Sequence, residues 1–205
     1  MAEERERTYF KPGNMLYPAP AVMVSCAREG ERPNIITVAW AGTVCSDPAM
    51  VSISVRQSRY SHAILTGSGE FVINLVPRRL VRACDYCGVK SGRDVDKFSE
   101  LHLTEQPSTR VACPGIAESP VNIECRVKQV IPLGSHDMFL AEVVAVGVDP
   151  RLVDEQGRFH LNDAELVAYS HGEYRALGGV LGTFGYSVRK KPLPRKKTVP
   201  GKKKK

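Results

Sequence analysis

Long apolar runs and export signals are what this sequence most clearly lacks. No apolar stretch approaches the roughly 20 residues that a membrane-spanning helix needs. Residues 1–14 are charged and polar without an apolar core, which is not the pattern of a signal peptide. We therefore expect a soluble cytoplasmic protein, in which the six cysteines are free thiols rather than a disulfide framework.

Two nucleotide-binding motifs and a complete metal-binding motif are also missing. The chain has no G-x-G-x-x-G after a strand and no P-loop, which disfavours a Rossmann dinucleotide domain. Cys84 and Cys87 form a single C-x-x-C, but a thioredoxin motif would need a βαβ unit around it, and zinc would need two more ligands. Because only Cys113 and a distant histidine could supplement the pair, we expect buried thiols there and no metal site.

Acidic residues are absent from the basic end of the chain. The net charge is +7, and residues 189–205 hold ten positive charges and no acid, so subtracting that ten leaves the rest of the chain near −3. Three prolines in this tail break any helix, and we expect it to be disordered. The simplest interpretation is a solvated tail without a specific partner. Weak contact with nucleic acid or an anionic membrane is the alternative.

The remaining pattern is that of a β-rich chain with few helices. Short apolar stretches with alternating or continuous hydrophobicity predict strands, and hairpin turns separate several of them. The nearly continuous apolar run 138–148 predicts a strand that is covered on both faces. The fold class we predict is mainly β with short helices, arranged as an antiparallel barrel. The long irregular stretch 88–120 is expected to cover a ligand or to contact a second subunit. The predicted strands are 21–28, 34–40, 51–56, 70–76, 121–131, 138–148 and 166–170, and the predicted helices are 60–65 and 77–87.

The stretch from Asn34 to Ser61 indicates a binding site for a flat ring with a phosphate. Trp40 ends a strand next to small residues and a polar loop, where an aromatic face and free backbone amides suit a flat, polar-edged ligand. Arg56 and Arg59 precede a helix start with Ser58 or Ser61 as its cap, and a helix N-terminus beside cations favours an anion. A mononucleotide would satisfy both halves, with Ser54, Arg56 and Ser61 as the candidate ligands of its phosphate. The plainer interpretation is a tryptophan in the core or an interface, a solvated strand face and an ordinary helix cap.

At this point the chain resembles the flavin reductase-like proteins with the FMN-binding split-barrel fold, most closely the flavoredoxin branch. The resemblance covers residues 18–187 and rests on the order and spacing of several short pieces rather than on any one of them. It implies a homodimer with FMN at or near the interface. We therefore divide the chain into an extension (1–17), a split-barrel domain (18–188) and the basic tail (189–205). The matching pieces are Asn34–Trp40, Cys45–Pro48, Val51–Arg56, Arg59–His62, Gly69–Leu75, Ser91–Arg93, Asp96–Phe98, Glu118–Asn122, Gly134–Phe139 and His171–Tyr174.

The resemblance also implies roles for residues that would be unremarkable alone. Lys97 would bind the phosphate or stabilise negative charge on the reduced ring, where the plain alternative is a surface lysine. His136 would lie near the cofactor, where the alternative is a loop histidine held by Asp137 or by backbone. Tyr169 could cover the ring or simply plug the barrel. The full predicted set of FMN-binding residues is Asn34, Thr37, Ala39, Trp40, Ser54, Arg56, Ser61, Lys97, His136 and Tyr169.

These inferences predict an FMN-binding oxidoreductase that moves electrons from NADH, NADPH or a protein donor to an acceptor. No catalytic residue is predicted, because the isoalloxazine ring itself takes the electrons. A nicotinamide donor would dock on the flavin, since the chain offers it no domain of its own. The alternatives are an FMN electron carrier without nicotinamide activity, and a non-redox binding module that uses the basic tail.

Overall fold

Short antiparallel strands make up most of the computed structural model, which describes residues 6–189. The basic tail beyond residue 189 lies outside the described residues. The helices are α1 (Tyr60–Ser68), α2 (Val81–Val89) and α3 (Lys97–Glu100), with short 3-10 turns at Arg78–Leu80, Pro150–Leu152, Leu161–Ala164 and Tyr186–Val188. Of the helices in this described part, none combines the length and the apolar character needed to cross a membrane. The strands are β1 (Ala19–Pro20), β2 (Val22–Cys26), β3 (Asn34–Val38), β4 (Ala41–Ser46), β5 (Ala49–Arg56), β6 (Glu70–Leu75), β7 (Glu105–Gln106), β8 (Gly115–Ile116), β9 (Val121–Pro132), β10 (His136–Val148), β11 (Val167–Ser170) and β12 (Glu173–Ala176).

Seven of the strands form one curled antiparallel sheet in the order β3-β2-β6-β9-β10-β5-β4. Hairpins join β2 to β3, β4 to β5, and β9 to β10, which are the connections that antiparallel pairing allows. The sheet curls so that its first strand, β3, contacts β5 near the far edge. This open barrel is the split-barrel fold, and the predicted fold class is confirmed. Two small sheets, β1-β11-β12 and β7-β8, complete the strands.

The sheet separates two hydrophobic cores. In β5, Val51, Ile53 and Val55 are buried while the intervening serines are half-buried, as a period of two requires. These residues, with Ile64 and Leu65 of α1, belong to the core inside the barrel. A second core lies between the outer face of β2 and β3 and the helices α2 and α3. β2 is buried along its whole length because both faces are covered.

Several local predictions need correction. Neither Ser58 nor Ser61 caps α1, because the cap position is Arg59 and no side chain bonds the free amides there. The polar loop expected after Trp40 is the strand β4, which pairs with β5. The stretch 88–120 is not wholly irregular, since it holds α3, β7 and β8. β10 is only half-buried on one face, so the prediction that both its faces are covered was wrong.

Two terminal segments leave large apolar side chains in solvent. Residues 6–17 and 177–188 carry ten of them, each more than half exposed. Within the barrel, by contrast, Phe71 and Phe139 are completely buried. The ten are Tyr9, Phe10, Met15, Leu16, Leu177, Val180, Leu181, Phe184, Tyr186 and Val188.

Candidate functional site

The chain turns from β3 into β4 at Trp40, and this junction forms one end of a groove. The backbone N–H of Ser54 donates to the carbonyl of Trp40 at 2.8 Å, which joins the junction to β5. Small residues on either side of Trp40, Ala39 and Ala41, leave its half-buried ring accessible. A cavity of about 190 Å³ lies here, which we call the tryptophan cleft. Its lining residues are Ile36–Trp40, Ser54–Arg56, Arg59 and His136.

A wider space of about 940 Å³ continues from the tryptophan cleft towards the N-terminal segment, and we call it the outer groove. It shares Ala39, Trp40, Ser54, Arg56 and His136 with the tryptophan cleft. Its own lining residues are Gly13–Leu16, Pro18–Pro20, Ala41, Gly42, Ser52, Leu133 and Ser135.

On the other side of Arg56, the tryptophan cleft meets a cavity of about 420 Å³ rich in positive charge. Five cationic side chains and no carboxylate line it, so we call it the cation cleft. It lies between the start of α1, the first residues of β3 and the segment after α2. The free amides at the start of α1 add partial positive charge. The lining residues are Asn34, Ile36, Arg56, Ser58–Ser61, Cys87, Lys90–Arg93 and Lys97.

Lys97 forms part of the floor of the cation cleft and is almost completely buried. Its Nζ donates to the carbonyl of Ile35 at 2.6 Å and to the carbonyl of Cys87 at 2.8 Å, so it joins β3 to the end of α2. Burial lowers the pKa of this ammonium. A buried cation with two backbone acceptors is held firmly, and its remaining N–H can serve a ligand in the cleft.

Asn34 and Ser61 brace the same cleft from two elements. The Asn34 Nδ2 donates to Ser61 Oγ at 2.8 Å, linking β3 to the first turn of α1. Both side chains are buried. This Asn34 donor is engaged with α1 and braces the cleft, and the hydrogen bond to a flavin edge that the sequence suggested for Asn34 and Thr37 stays a prediction. Similarly, the Thr37 hydroxyl donates to the carbonyl of Cys84 and fastens β3 to α2.

Gly92 is a position of close packing, where Asn34 and Tyr60 take up the volume that a Cβ would need. A methyl group at this position would clash with the Asn34 amide and the Tyr60 ring. The Gly92 carbonyl accepts a hydrogen bond from Arg32 Nη2 at 3.1 Å, which holds the segment beside β3. The neighbouring Arg93 guanidinium lies 5.8 Å from the centre of the Tyr60 ring, within the range of a cation–π contact.

His136 begins β10 and lines the tryptophan cleft and the outer groove. It pairs across the sheet with Arg56, and its Nδ1 lies 2.9 Å from Ser135 Oγ. Burial, with a smaller contribution from the Arg56 charge, lowers the pKa of the imidazole. Asp137 does not hold His136, because its carboxylate bonds Gln57 and His62 instead.

Tyr169 does not line any of the three cavities. It connects to the site through other rings: Tyr17 lies 6.1 Å from Trp40 and 6.1 Å from Tyr169, measured between ring centres. Tyr174 lies 5.8 Å beyond Tyr169. The structure therefore places Tyr169 as one member of an aromatic row that ends at Trp40.

The predicted residues fall into groups that differ from those expected. Asn34, Arg56, Ser61 and Lys97 surround the cation cleft, whereas Thr37, Ala39, Trp40, Ser54 and His136 lie on the tryptophan cleft. Ser54 is therefore separated from Ser61, with which it was grouped as a phosphate ligand. Lys97 lines the cation cleft and His136 lines the tryptophan cleft, so the two residues do not meet in the same cavity.

Sequence reasoning missed the contribution of the segment after α2. Ser91–Arg93 is one of the pieces that carry the family resemblance, but the sequence assigned no role to these residues and did not single out Lys90. The one available signal was the glycine between polar and basic residues, which favours a close backbone approach.

Cys84 and Cys87, the cysteines of the C-x-x-C, are buried in the second core between the sheet and the helices α2 and α3. All six cysteines are free thiols. Burial raises the pKa of Cys84 to about 11 and that of Cys87 to about 12, the opposite of what a redox-active thiol needs. Among residues 6–189, no cluster of three or more His, Cys, Asp or Glu side chains could hold a metal ion.

Comparison with known proteins identifies the family to which this chain belongs. The flavin reductase like domain matches residues 14–178, so the chain belongs to the flavin reductase-like flavoprotein family. Its structure matches the flavoredoxin of Desulfovibrio vulgaris (Miyazaki F) with a TM-score of 0.82 and 31% identity, over 90% of this chain and all (100%) of that one.

Two further similar proteins cover shorter stretches or are less alike. An FMN-binding protein from Thermus thermophilus, solved with bound 1-cyclohex-2-enone, matches with a TM-score of 0.69 and 25% identity, over 86% of this chain and 96% of that one. An uncharacterized protein of Archaeoglobus fulgidus is 30% identical over 131 residues, which is 64% of this chain and 73% of the relative.

Proposed function

We propose that this protein binds FMN along the two clefts and uses it to pass electrons from NADH, NADPH or a protein donor to an acceptor. The observation that carries the proposal is that the tryptophan cleft and the cation cleft adjoin each other. A flat aromatic end at Trp40 meets, at Arg56, a cleft lined by five cations and no acid. FMN has the same division into a flat ring and a dianionic phosphate.

The residues present fit this group. The missing Cβ of Gly92 lets Asn34 and Tyr60 pack against the backbone of the 90–93 segment, which brings Lys90 and Arg93 to the cation cleft. Arginine forks and the uncapped amides of α1 supply hydrogen bonds to phosphate oxygens. When bound, the isoalloxazine supplies the electron-transfer chemistry, and the protein supplies position and electrostatics.

On this proposal the two ends of the groove have separate tasks. The cation cleft anchors the phosphate, while Trp40 and the backbone of Ala39 orient the ring. His136, whose lowered pKa favours the neutral imidazole at pH 7, can donate or accept one hydrogen bond at the ring end. The outer groove leaves space for a nicotinamide or an acceptor next to the ring.

The proposed assembly is a homodimer. Support comes from the ten exposed apolar side chains of the two terminal segments, since exposed apolar patches of this kind mark interaction surfaces. Light scattering of the full chain is expected to give the mass of a dimer, and the mass of a monomer would contradict the assembly.

The direct test is the visible spectrum of the purified chain after addition of FMN, followed by anaerobic NADH or NADPH. A bound yellow flavin that bleaches within seconds supports a nicotinamide-dependent reductase. Bound flavin that stays yellow supports the electron carrier, which the flavoredoxin similarity favours. A chain that takes up no flavin contradicts the proposal.

The non-redox alternative rests on the basic tail. Deleting residues 189–205 is expected to remove any polyanion binding while leaving FMN binding intact. Loss of FMN binding in the deletion would instead make the tail part of the flavin site.

A further inference from the structure

The segment 58–61, which joins β5 to the first turn of α1, carries much of the cation cleft. Residues 58–61 all line the cleft. The backbone bonds recorded in the loop between β5 and α1 are two turn contacts, Arg59 N–H to the carbonyl of Arg56 and His62 N–H to the carbonyl of Arg59, both at 3.0 Å. Residues 56–59 are exposed. Asn34 and the helix α1 hold the segment at Ser61, and a further side-chain contact joins the residues on either side of it.

Asp137 spans this segment from the neighbouring strand. Its Oδ1 accepts a hydrogen bond from Gln57 Nε2 at 2.9 Å, and its Oδ2 lies 2.8 Å from His62 Nε2. Gln57 and His62 stand immediately before and after residues 58–61. One carboxylate thus holds both ends of the segment that lines the cleft.

The anchor itself is firmly placed. Asp137 is buried in β10, opposite Val55 of β5. The His62 ring packs edge-on against the buried Phe139, with 5.4 Å between ring centres. The hydrogen bonds from Gln57 and His62 also lower the pKa of the Asp137 carboxyl, so it stays ionised as an acceptor at neutral pH.

None of the three residues lines the tryptophan cleft, the outer groove or the cation cleft. We infer that Asp137 is a positioning residue for phosphate recognition, which acts by clamping the 58–61 segment, the end of the β5–α1 loop with the first residues of α1, through Gln57 and His62. This inference rests on the proposed FMN binding. It concerns only the phosphate half of the ligand, because the clamped segment lies at that end of the groove.

The test compares two ligands that differ by the phosphate. The dissociation constants of FMN and riboflavin are measured by flavin fluorescence for the full chain and for Asp137→Ala. We expect FMN to bind about 10-fold more weakly to the variant, the scale of one or two charge-assisted hydrogen bonds. Riboflavin should bind within about twofold of its original affinity. Asp137→Asn keeps the acceptor for Gln57 and is expected to recover part of the FMN affinity.

A matched control is available elsewhere in the chain. Asp154 makes the same kind of contact with His160, also at 2.8 Å, and neither residue lines a groove cavity. Asp154→Ala should leave both dissociation constants unchanged. An equal loss of FMN and riboflavin binding in Asp137→Ala would show a merely structural role and overturn the inference, as would unchanged FMN binding.

If Asp137→Ala does not fold, Gln57→Ala decides the question, because Gln57 is exposed and only one arm of the clamp is lost. A loss of FMN affinity of about threefold in Gln57→Ala, without a loss of riboflavin affinity, supports the clamp. An FMN affinity equal to that of the unaltered chain overturns it. Failure of the unaltered chain to bind either flavin would refute the proposed function and the inference together. The unaltered protein thus separates that outcome from failure of the clamp alone.

Discussion

The cation cleft and the tryptophan cleft are adjoining but are built differently. Behind the cation cleft, side chains from β3, α1 and α3 are buried and hydrogen-bonded to one another or to backbone, as Asn34, Ser61 and Lys97 show. The tryptophan cleft is formed by small residues, backbone and one accessible ring, and it opens into the wide outer groove. The difference suggests that one end is built to hold a fixed chemical group, whereas the other leaves room for reaction partners to change.

The largest difference should come from one methyl group placed in each region. Gly92→Ala puts a methyl where Asn34 and Tyr60 already lie and must displace these two lining residues of the cation cleft, so FMN affinity should fall about 100-fold, or roughly 2.7 kcal/mol. Gly42→Ala adds the same methyl to the outer groove, where nothing lies within 4 Å, and should change affinity less than about twofold. Fluorescence titration with FMN measures both. Equal effects of the two variants would contradict the distinction.

Removing the buried cation tests how far the cation cleft also supports the fold. Lys97→Met leaves the carbonyls of Ile35 and Cys87 without their donor, which should cost about 2–3 kcal/mol of unfolding free energy. Urea denaturation of the ligand-free protein measures the change. Lys128 is the control, since its ion pair with Glu142 is at the surface and Lys128→Met should cost less than about 1 kcal/mol. Equal losses of unfolding free energy in the two variants would show that Lys97 stabilises the fold no more than a surface lysine does.

The tryptophan end should respond to the ring and be indifferent to the phosphate. Trp40→Leu removes an aromatic face, and we expect both FMN and riboflavin to bind about 10-fold more weakly, in the range that stacking provides. Parallel titrations with the two flavins measure this. A loss confined to FMN would mean that Trp40 serves the phosphate end, contrary to the arrangement described here.

The smallest effect should be a pH dependence at His136, the histidine of the tryptophan cleft. Because its folded-state pKa is lowered, the unfolded chain binds more protons between that pKa and about 6.5. Its contribution to stability is therefore present above about pH 6.5 and is lost as the pH falls through the lowered pKa. His136→Gln should reduce the loss of stability between pH 7.5 and 5, measured by urea midpoints. If His136→Gln leaves the pH dependence of the urea midpoint unchanged, His136 is not the group responsible for this loss of stability.

The fold class and part of the candidate site could be predicted from the amino-acid sequence. Alternation in β5 predicted its buried and polar faces, because a strand repeats every two residues. Trp40, Arg56 and Arg59 lie within twenty residues of one another, on neighbouring strands and a helix start. Their proximity could therefore be inferred from local structure alone.

The side-chain contacts of the site, in contrast, depend on how distant parts of the chain pack together. Lys97 reaches the carbonyl of Ile35 across 62 positions, and the segment with Lys90 and Arg93 joins the cation cleft only because α2 packs on β3. Hydrogen-bonding partners such as Ser61 for Asn34, and Asp137 for His62, were likewise beyond prediction. Periodicity specifies which face of an element is buried, whereas the choice of partner depends on long-range packing that leaves no periodic trace in the chain.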